Sequence, residues 1–188
     1  MMEQINIDKS FEIETSRFVL RIPNKEDIPF VFSATRYPGF NDGMLWEAPE
    51  NESELLEPLK RTIRKWEEAI EYTFTIVRKK QNELIGRISI RKTKEENVWE
   101  TGFWTHPDSQ NEGVMTEALA GILQFGFEQL KANKIQACHA LWNKASEKVL
   151  KRNGMEFEKY LPHGFKKKGE WVAENLLSVG KEKWSDDN

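Results

Sequence analysis

The apolar positions of this chain change period several times, and each change marks an element. Residues 17–22, RFVLRI, form a run of strand formers stopped by Pro23. Asn24 then offers a helix cap, with Glu26 and Asp27 in the first turn, where acidic side chains suit the helix dipole. From residue 51 onward, Leu56, Leu59, Ile63, Trp66 and Ile70 advance by 3, 4, 3 and 4, which places them on one helical face. Pro58 lies within that pattern and predicts a kink or a delayed start. Residues 72–78 are β-branched and aromatic, Gln81 and Asn82 read as a turn, and residues 84–91 alternate apolar with polar, so the segment predicts a hairpin. A strand over 98–105 (VWETGFWT), a long helix over 113–131, a strand over 135–141 and a helix over 144–152 follow. Two closing strands near 155–160 and 170–179 complete the order β-α-α-β-β-β-α-β-α-β-β, and SDDN at 185–188 reads as a disordered end.

This order predicts a mixed α/β fold in one domain over 1–188, with an ordered core at about 11–180. The strand–helix–strand unit from 98 to 141 predicts a parallel pair joined by a right-handed crossover. Ligands of open α/β sheets bind at the carboxyl ends of such strands, so the loop that opens the crossover helix draws attention.

Composition narrows the classes of function. The 188 residues are 38% hydrophobic and 31% charged with a net charge of −3, which suits one sizeable core and gives no general attraction to nucleic acid. A single cysteine, Cys138, rules out an internal disulfide framework, and the sequence has no His/Cys cluster at metal-ligand spacing, so no metal is expected. The amino terminus, MMEQINIDKSFEIE, is polar, and no window approaches a membrane span; a cytoplasmic protein without membrane contact is the expectation.

The loop QNEGVMTEAL, residues 110–119, runs into the long helix. Its first N–H groups lack intrahelical partners and carry the positive end of the dipole, and Gly113 would let an anion approach the backbone. The alternative is a solvated helix start capped by Ser109 or Asn111. A second helix start, with Asn143 as a cap and Ser146 three residues on, follows the next strand and opens on the same end of the sheet. Two such starts together favour a composite site.

With these residues in order, the chain resembles the GNAT (Gcn5-related) N-acetyltransferase superfamily, in particular its ribosomal-protein alanine/serine N-terminal acetyltransferase branch. The family's cofactor loop, Arg/Gln-x-x-Gly-x-Gly/Ala, is met by Gln110 and Gly113, with Met115 in place of the small third residue; its N-x-x-S…GM-x-F signature is met by Asn143, Ser146, Gly154, Met155 and Phe157. The resemblance implies a twisted mixed sheet of about 6–7 strands with four main helices, splayed at the central parallel pair. It implies acetyl-CoA as cosubstrate, with its pantetheine arm against the backbone of Phe103, Trp104 and Thr105. The pyrophosphate would lie on the amides of Asn111, Gly113, Val114, Met115 and Thr116, with Asn143 on the pantetheine and Ser146 near the sulfur. The reaction implied is direct transfer of acetyl to a primary amine on a peptide or protein amino terminus. A small-molecule acceptor (aminoglycoside, polyamine or amino acid) and a non-catalytic acetyl-CoA-binding module remain open, as do monomer and homodimer.

Three tasks need residues: deprotonating the amine, stabilising an oxyanion and protonating the thiolate. Strand alternation places Val98, Glu100, Gly102 and Trp104 on one face, which makes Glu100 the candidate base; the alternative for it is a salt-bridged strand glutamate. His139 competes by its titration range, or is simply packed. Ser146 or water remains for the thiolate, since no tyrosine lies between Ser146 and Tyr160. The acidic stretch Glu47, Glu50, Glu52, Glu54 and Glu57 beside Trp46 attracts an amine or is a solvated helix start. The basic residues Lys144, Lys148, Lys151, Arg152 and Lys166, Lys167, Lys168 meet the adenosine 3′-phosphate of the cosubstrate or an acidic partner, or stay solvated, and Cys138 reads as a small buried filler.

Overall fold

The alternation that predicts strands also decides which faces of them are covered. In the computed structural model, which describes residues 5–186, one sheet runs in the order β1-β2-β3-β4-β5-β6-β8-β7. Its strands are β1 Ile13–Glu14, β2 Phe18–Arg21, β3 Glu71–Arg78, β4 Glu83–Lys92, β5 Val98–Thr105, β6 Lys134–Ala140, β7 Glu156–Lys167 and β8 Glu170–Gly180. The helices are α1 Ile28–Ala34, α2 Leu56–Glu67, α3 Val114–Glu128, α4 Lys144–Arg152 and α5 Lys181–Asp186. Ile88 and Ile90 of β4 are buried on the face that α3 covers, with Leu119 and Ile122 of the helix equally inaccessible. Each such side chain contributes about 1.5–3 kcal/mol by leaving water. Arg87, Ser89 and Arg91 alternate with them and therefore face the other way.

Eight strands and five helices exceed the expected 6–7 and four. The additions are β1, two residues and too short to alternate, and α5, whose Trp184 ring packs 5.1 Å from Phe127. Ser185 and Asp186 of the expected disordered end thus belong to a helix, while residues 187–188 lie outside the described residues. Helix α2 starts after a 3-10 turn at Glu52–Leu55, so Pro58 sits in its first turn, where a missing N–H costs nothing. It delays the helix and does not kink it. Ala69 has φ 52, which ends the helical path; Ile70 falls outside the helix and is 43% exposed, contrary to the apolar face expected of it. Helix α3 stops at Glu128, short of 131, because the chain turns left-handed at Lys131 before β6. Strand β7 continues past the expected Tyr160 through Pro162, with a register shift between Leu161 and Phe165. As the edge strand of the sheet, it tolerates a residue without an N–H.

β5 and β6 are the parallel pair, and their register holds only for Val98↔Lys134, Trp99↔Ile135 and Glu100↔Gln136. Beyond Glu100, β5 stays paired with β4 to Gly86↔Thr105, while β6 stays paired with β8 to Ala140↔Glu174. The sheet therefore opens as a V between them. Across the base of the V lies α3, where Gly126 leaves room for Ile135 of β6 and Ile90 of β4: a Cβ there would stand 2.6 and 2.9 Å from their Cδ1 atoms. Gly86 permits another close approach, since its Cβ would lie 2.3 Å from the Trp104 carbonyl oxygen. Gly86→Ala is expected to destabilise the fold by about 1–3 kcal/mol, because a backbone atom of β5 would have to move. Urea denaturation with an unchanged midpoint would refute this.

Candidate active site

Beside the V, the uncovered face of the sheet forms the floor of a cleft of about 980 Å³. Arg87, Arg91, Glu100, Gly102, Trp104 and Cys138 line the floor, the connection between α1 and α2 forms one wall, and Leu161, Phe165 and Glu174 form the other. The first wall is tied down by Lys167, whose Nζ donates to the carbonyls of Met44 and Trp46 and pairs with Glu47 at 3.0 Å. That lysine is an internal strut, so the expected phosphate-binding role does not belong to it. Glu47 is engaged there, Glu54 accepts from the Glu50 N–H and the Asn51 amide, and Glu57 pairs with Lys60. The acidic stretch is thus largely satisfied by its own neighbours, although Glu47 and Glu54 still border the cleft.

The sequence candidates for the cofactor lie at or follow the carboxyl ends of the two strands of the V. Phe103, Trp104 and Thr105 are the last residues of β5 and present the backbone edge that β6 has left. After a 3-10 turn at Pro107–Ser109, Gln110 is extended, Asn111 has φ 64 and Gly113 has φ 71 as the residue preceding α3. No side chain caps α3, so neither Ser109 nor Asn111 takes the capping role. The amides of Val114, Met115 and Thr116 therefore begin the helix without a side-chain acceptor. Met115 is 5% exposed, so its bulk points into the core and not towards the loop's ligand side. Asn143 does cap α4: its Oδ1 accepts from the Ser146 N–H at 3.1 Å. Both Asn143 and Ser146 border the cleft.

Two basic residues near the loop escaped the sequence reading: Arg78, whose Nη2 pairs with the Glu112 carboxylate at 2.6 Å, and Arg17. Arg17 donates from Nη1 to the Glu112 carbonyl at 3.0 Å and is held by Glu117 through Nε at 2.6 Å. With Gly113, Thr116, Lys151 and Arg152 it lines a second hollow beside the start of α3. Only the sheet order brings Arg17 there, since it lies 95 residues from Glu112 in the chain.

The candidate bases fare differently. Glu100 is ion-paired with Arg91 and accepts from Gln136 Nε2 at 3.1 Å, the salt-bridged alternative. His139 is 3% exposed, and its Nδ1 donates to the Ala140 carbonyl at 2.9 Å, as it must because a carbonyl only accepts. Strand alternation turns its ring to the face opposite Gln136 and Cys138, yet it borders the cleft, and its buried Nε2 has no hydrogen-bond partner among the described residues. Glu174, which sequence reasoning passed over, lines the cleft half-buried, and its carboxylate makes no hydrogen bond with the described residues. Burial pushes its carboxyl above the ordinary range, the Glu100 charge adds to the rise, and Arg91 opposes it. Gly164 makes space for it, since a Cβ there would lie 2.4 Å from Glu174 Oε2. Burial, with Glu174 and Glu100, also pushes the Cys138 thiol up to about 12, so Cys138 stays protonated and unreactive.

This geometry fits what known proteins share with the chain. A family model described as an acetyltransferase (GNAT) domain matches residues 17–156. The uncharacterized N-acetyltransferase YnaD of Bacillus subtilis is 30% identical over 112 residues, which cover 60% of this chain and 66% of that protein. A putative ribosomal-protein-serine acetyltransferase from Vibrio cholerae superposes with a TM-score of 0.82 at 23% identity, covering 93% of this chain and 99% of that one. A spermidine N-acetyltransferase from Vibrio cholerae, solved with CoA and spermine, gives 0.78 at 20% identity over 90% of this chain and 99% of that one. At these identities the two structures establish the shared fold. Among the described residues, no helix is long and apolar enough to cross a membrane and no group of His, Cys, Asp and Glu could hold a metal ion.

Proposed function

The chain belongs to the GNAT acetyltransferase family, and from that premise we propose that it transfers the acetyl group of acetyl-CoA directly to the α-amine of a peptide or protein amino terminus. The observation that carries this reading is the three-rung parallel pair. Its open β5 edge offers backbone partners to an extended arm, and two helix starts, at Gly113 and Asn143, follow the two strands that form the V. The uncapped start of α3 suits a pyrophosphate, because its first amides lack a side-chain acceptor, and Arg17, held by Glu117, stands beside it. Asn143 and Ser146 then border the thioester end.

In the reaction, the acceptor ammonium gives its proton to the Glu174 carboxylate, whose raised pKa makes it a better acceptor than an ordinary glutamate. The amine nitrogen bonds to the thioester carbonyl carbon, and the developing oxyanion is met by β5 amides on the open edge. The carbon–sulfur bond breaks, and the thiolate takes up the second proton shed by the new amide nitrogen, relayed through the Ser146 hydroxyl or a water. Glu100, paired to Arg91, acts on Glu174 through its field. It is a positioning residue.

An amino-terminal α-amine, with a pKa of about 7.7–8.0, loses its proton more readily than a lysine side chain at about 10.4. Peptides beginning with serine or alanine are expected to be acetylated at the amino terminus and not on internal lysines, with mass spectrometry locating the group. Failure of every peptide, with turnover of a polyamine, would overturn the peptide reading and leave the acetyltransferase standing. The polyamine alternative draws on the likeness to the spermidine enzyme, but the buried guanidinium of Arg87 in the cleft opposes a polycation.

The cofactor loop has its own test. Gly113→Val puts a β-branched residue at φ 71, a conformation that costs an L-residue about 1–2 kcal/mol, and places its side chain where the pyrophosphate would lie. Acetyl-CoA binding is expected to weaken at least tenfold by calorimetry, and unchanged affinity in a folded variant would return this loop to a plain helix start.

A further inference from the structure

The cleft holds a buried charge that the chemistry above does not use. Arg87 stands on the cleft face of β4, between Thr75 of β3 and Trp104 of β5. Its Nε is buried with no hydrogen-bond partner, and its Nη2 lies 3.9 Å from Asp27 Oδ2, too far for a hydrogen bond. Asp27 cannot serve it better, because that carboxylate is already occupied. It accepts from Arg21 Nη1 at 3.2 Å and Nη2 at 2.7 Å, from Thr75 Oγ1 at 2.7 Å and from the Asn24 N–H at 3.2 Å. Two cations therefore share one saturated anion, and the guanidinium, with five donors in a planar fork, keeps donors for something else. Burial pushes Arg87 down to about 10, still protonated at neutral pH and short of compensation.

A buried, underpaired guanidinium costs stability unless a ligand completes it. The ligand available to this cleft is the acceptor. We propose that Arg87 forms an anion subsite, and that the acceptor is an amine that also carries a carboxylate, bound in register with Arg87 at one end and the acidic wall at the other. This inference rests on the acetyl-transfer reading of the cleft. The spacing supports it: Arg87 is one strand from the open edge of β5, about 5 Å, while Glu174 lies on the far side of the V next to Ala140. An amine held between β5 and Glu174 thus has Arg87 within reach of a carboxylate one residue away. Two sources share this chemistry, a peptide with an acidic second residue and a free amino acid or dipeptide.

The experiment compares seryl peptides with aspartate or asparagine at the second place, both as carboxyl-terminal amides, and seryl-alanine as free acid and as amide. A charge-assisted hydrogen bond of ordinary strength predicts that the acid of the preferred pair exceeds its amide about 10- to 100-fold in kcat/KM, mostly through KM. In Arg87→Gln that ratio is expected to fall to near one, and Arg87→Lys, which keeps the charge, to restore part of it. Preference within the peptide pair identifies the acidic peptide; preference within the seryl-alanine pair identifies the free carboxylate. Equal rates for acid and amide in the native protein, or a preference that survives Arg87→Gln, would overturn the subsite. Where no peptide turns over, calorimetric binding of succinate against succinamide reads the same residue. Tighter succinate binding that Arg87→Gln abolishes sustains the subsite while the peptide reading alone fails. Equal binding of the two compounds overturns it.

Discussion

Glu174→Gln is expected to lower kcat by about 100- to 10,000-fold, the usual worth of general-base assistance, while acetyl-CoA affinity stays near that of the native enzyme. The glutamine keeps the shape of a side chain that makes no hydrogen bond with the described residues, so the loss isolates the proton acceptor. The sign of the pH effect follows from the raised carboxyl. Glu174 works deprotonated, so kcat falls as pH drops through a value above the ordinary glutamate range. The charges facing it are Glu100 on β5, Arg91 on β4 and the neutral thiol of Cys138 on β6. Glu100→Gln removes one cause of the rise and is expected to move the acidic limb to lower pH, with a far smaller loss of kcat than Glu174→Gln. Glu174→Gln with a normal kcat–pH profile would show that water or the acceptor itself disposes of the proton.

The largest stability effect is expected at Asp27. Its side chain is 1% exposed and holds Arg21, Thr75 and the start of α1 together. Asp27→Ala would leave Arg21 and Arg87 facing each other over an uncharged gap, and breaking a buried pair in this way typically costs about 3–5 kcal/mol. Urea or thermal denaturation measures it, and a loss below about 1 kcal/mol, the scale of an exposed pair, would contradict the account. Burial alone would raise the Asp27 carboxyl, but the bonds from Arg21 and Thr75 hold it below its ordinary value. A depressed folded pKa means that this contribution is complete above the unfolded value of about 3.9 and is lost as pH falls through the folded one. The native protein is therefore expected to lose this support only in strong acid, and Asp27→Ala to flatten that part of its stability profile.

Local signals carried much of the fold. β5 and α4 coincide with the strand and the helix expected of their residues, because VWETGFWT is rich in β-branched and aromatic strand formers and Asn143 is a true cap. What escaped was set by distance in the chain or by edges. Nothing in the two residues of β1 distinguishes them from a loop, and the continuation of β7 through Pro162 becomes legible only once β7 is known to lie at the sheet edge. The site divides in the same way. The backbone positions around Gly113 and Asn143 sit in short motifs, so a single stretch reveals them. Glu174, Arg17 and Arg87 acquire their meaning from partners on other strands: the alternation of β4 points Arg87 at a cleft whose walls come from residues near 45 and 165. Glu100 illustrates the limit most directly, since alternation placed it on the correct face but could not reveal that Arg91, nine residues earlier, already holds it.

The glycine at position 126 has a consequence for how this architecture can be altered. Because α3 touches β4 and β6 together at that point, the helix acts as the fulcrum of the two half-sheets, and its thickness there governs how far their other ends stand apart. A larger residue at 126 would drive Ile90 and Ile135 away from each other and change the aperture at the opposite end, without touching a single cleft side chain. The fit of the two half-sheets is therefore set from the rear of the sheet, by a residue outside the cleft lining.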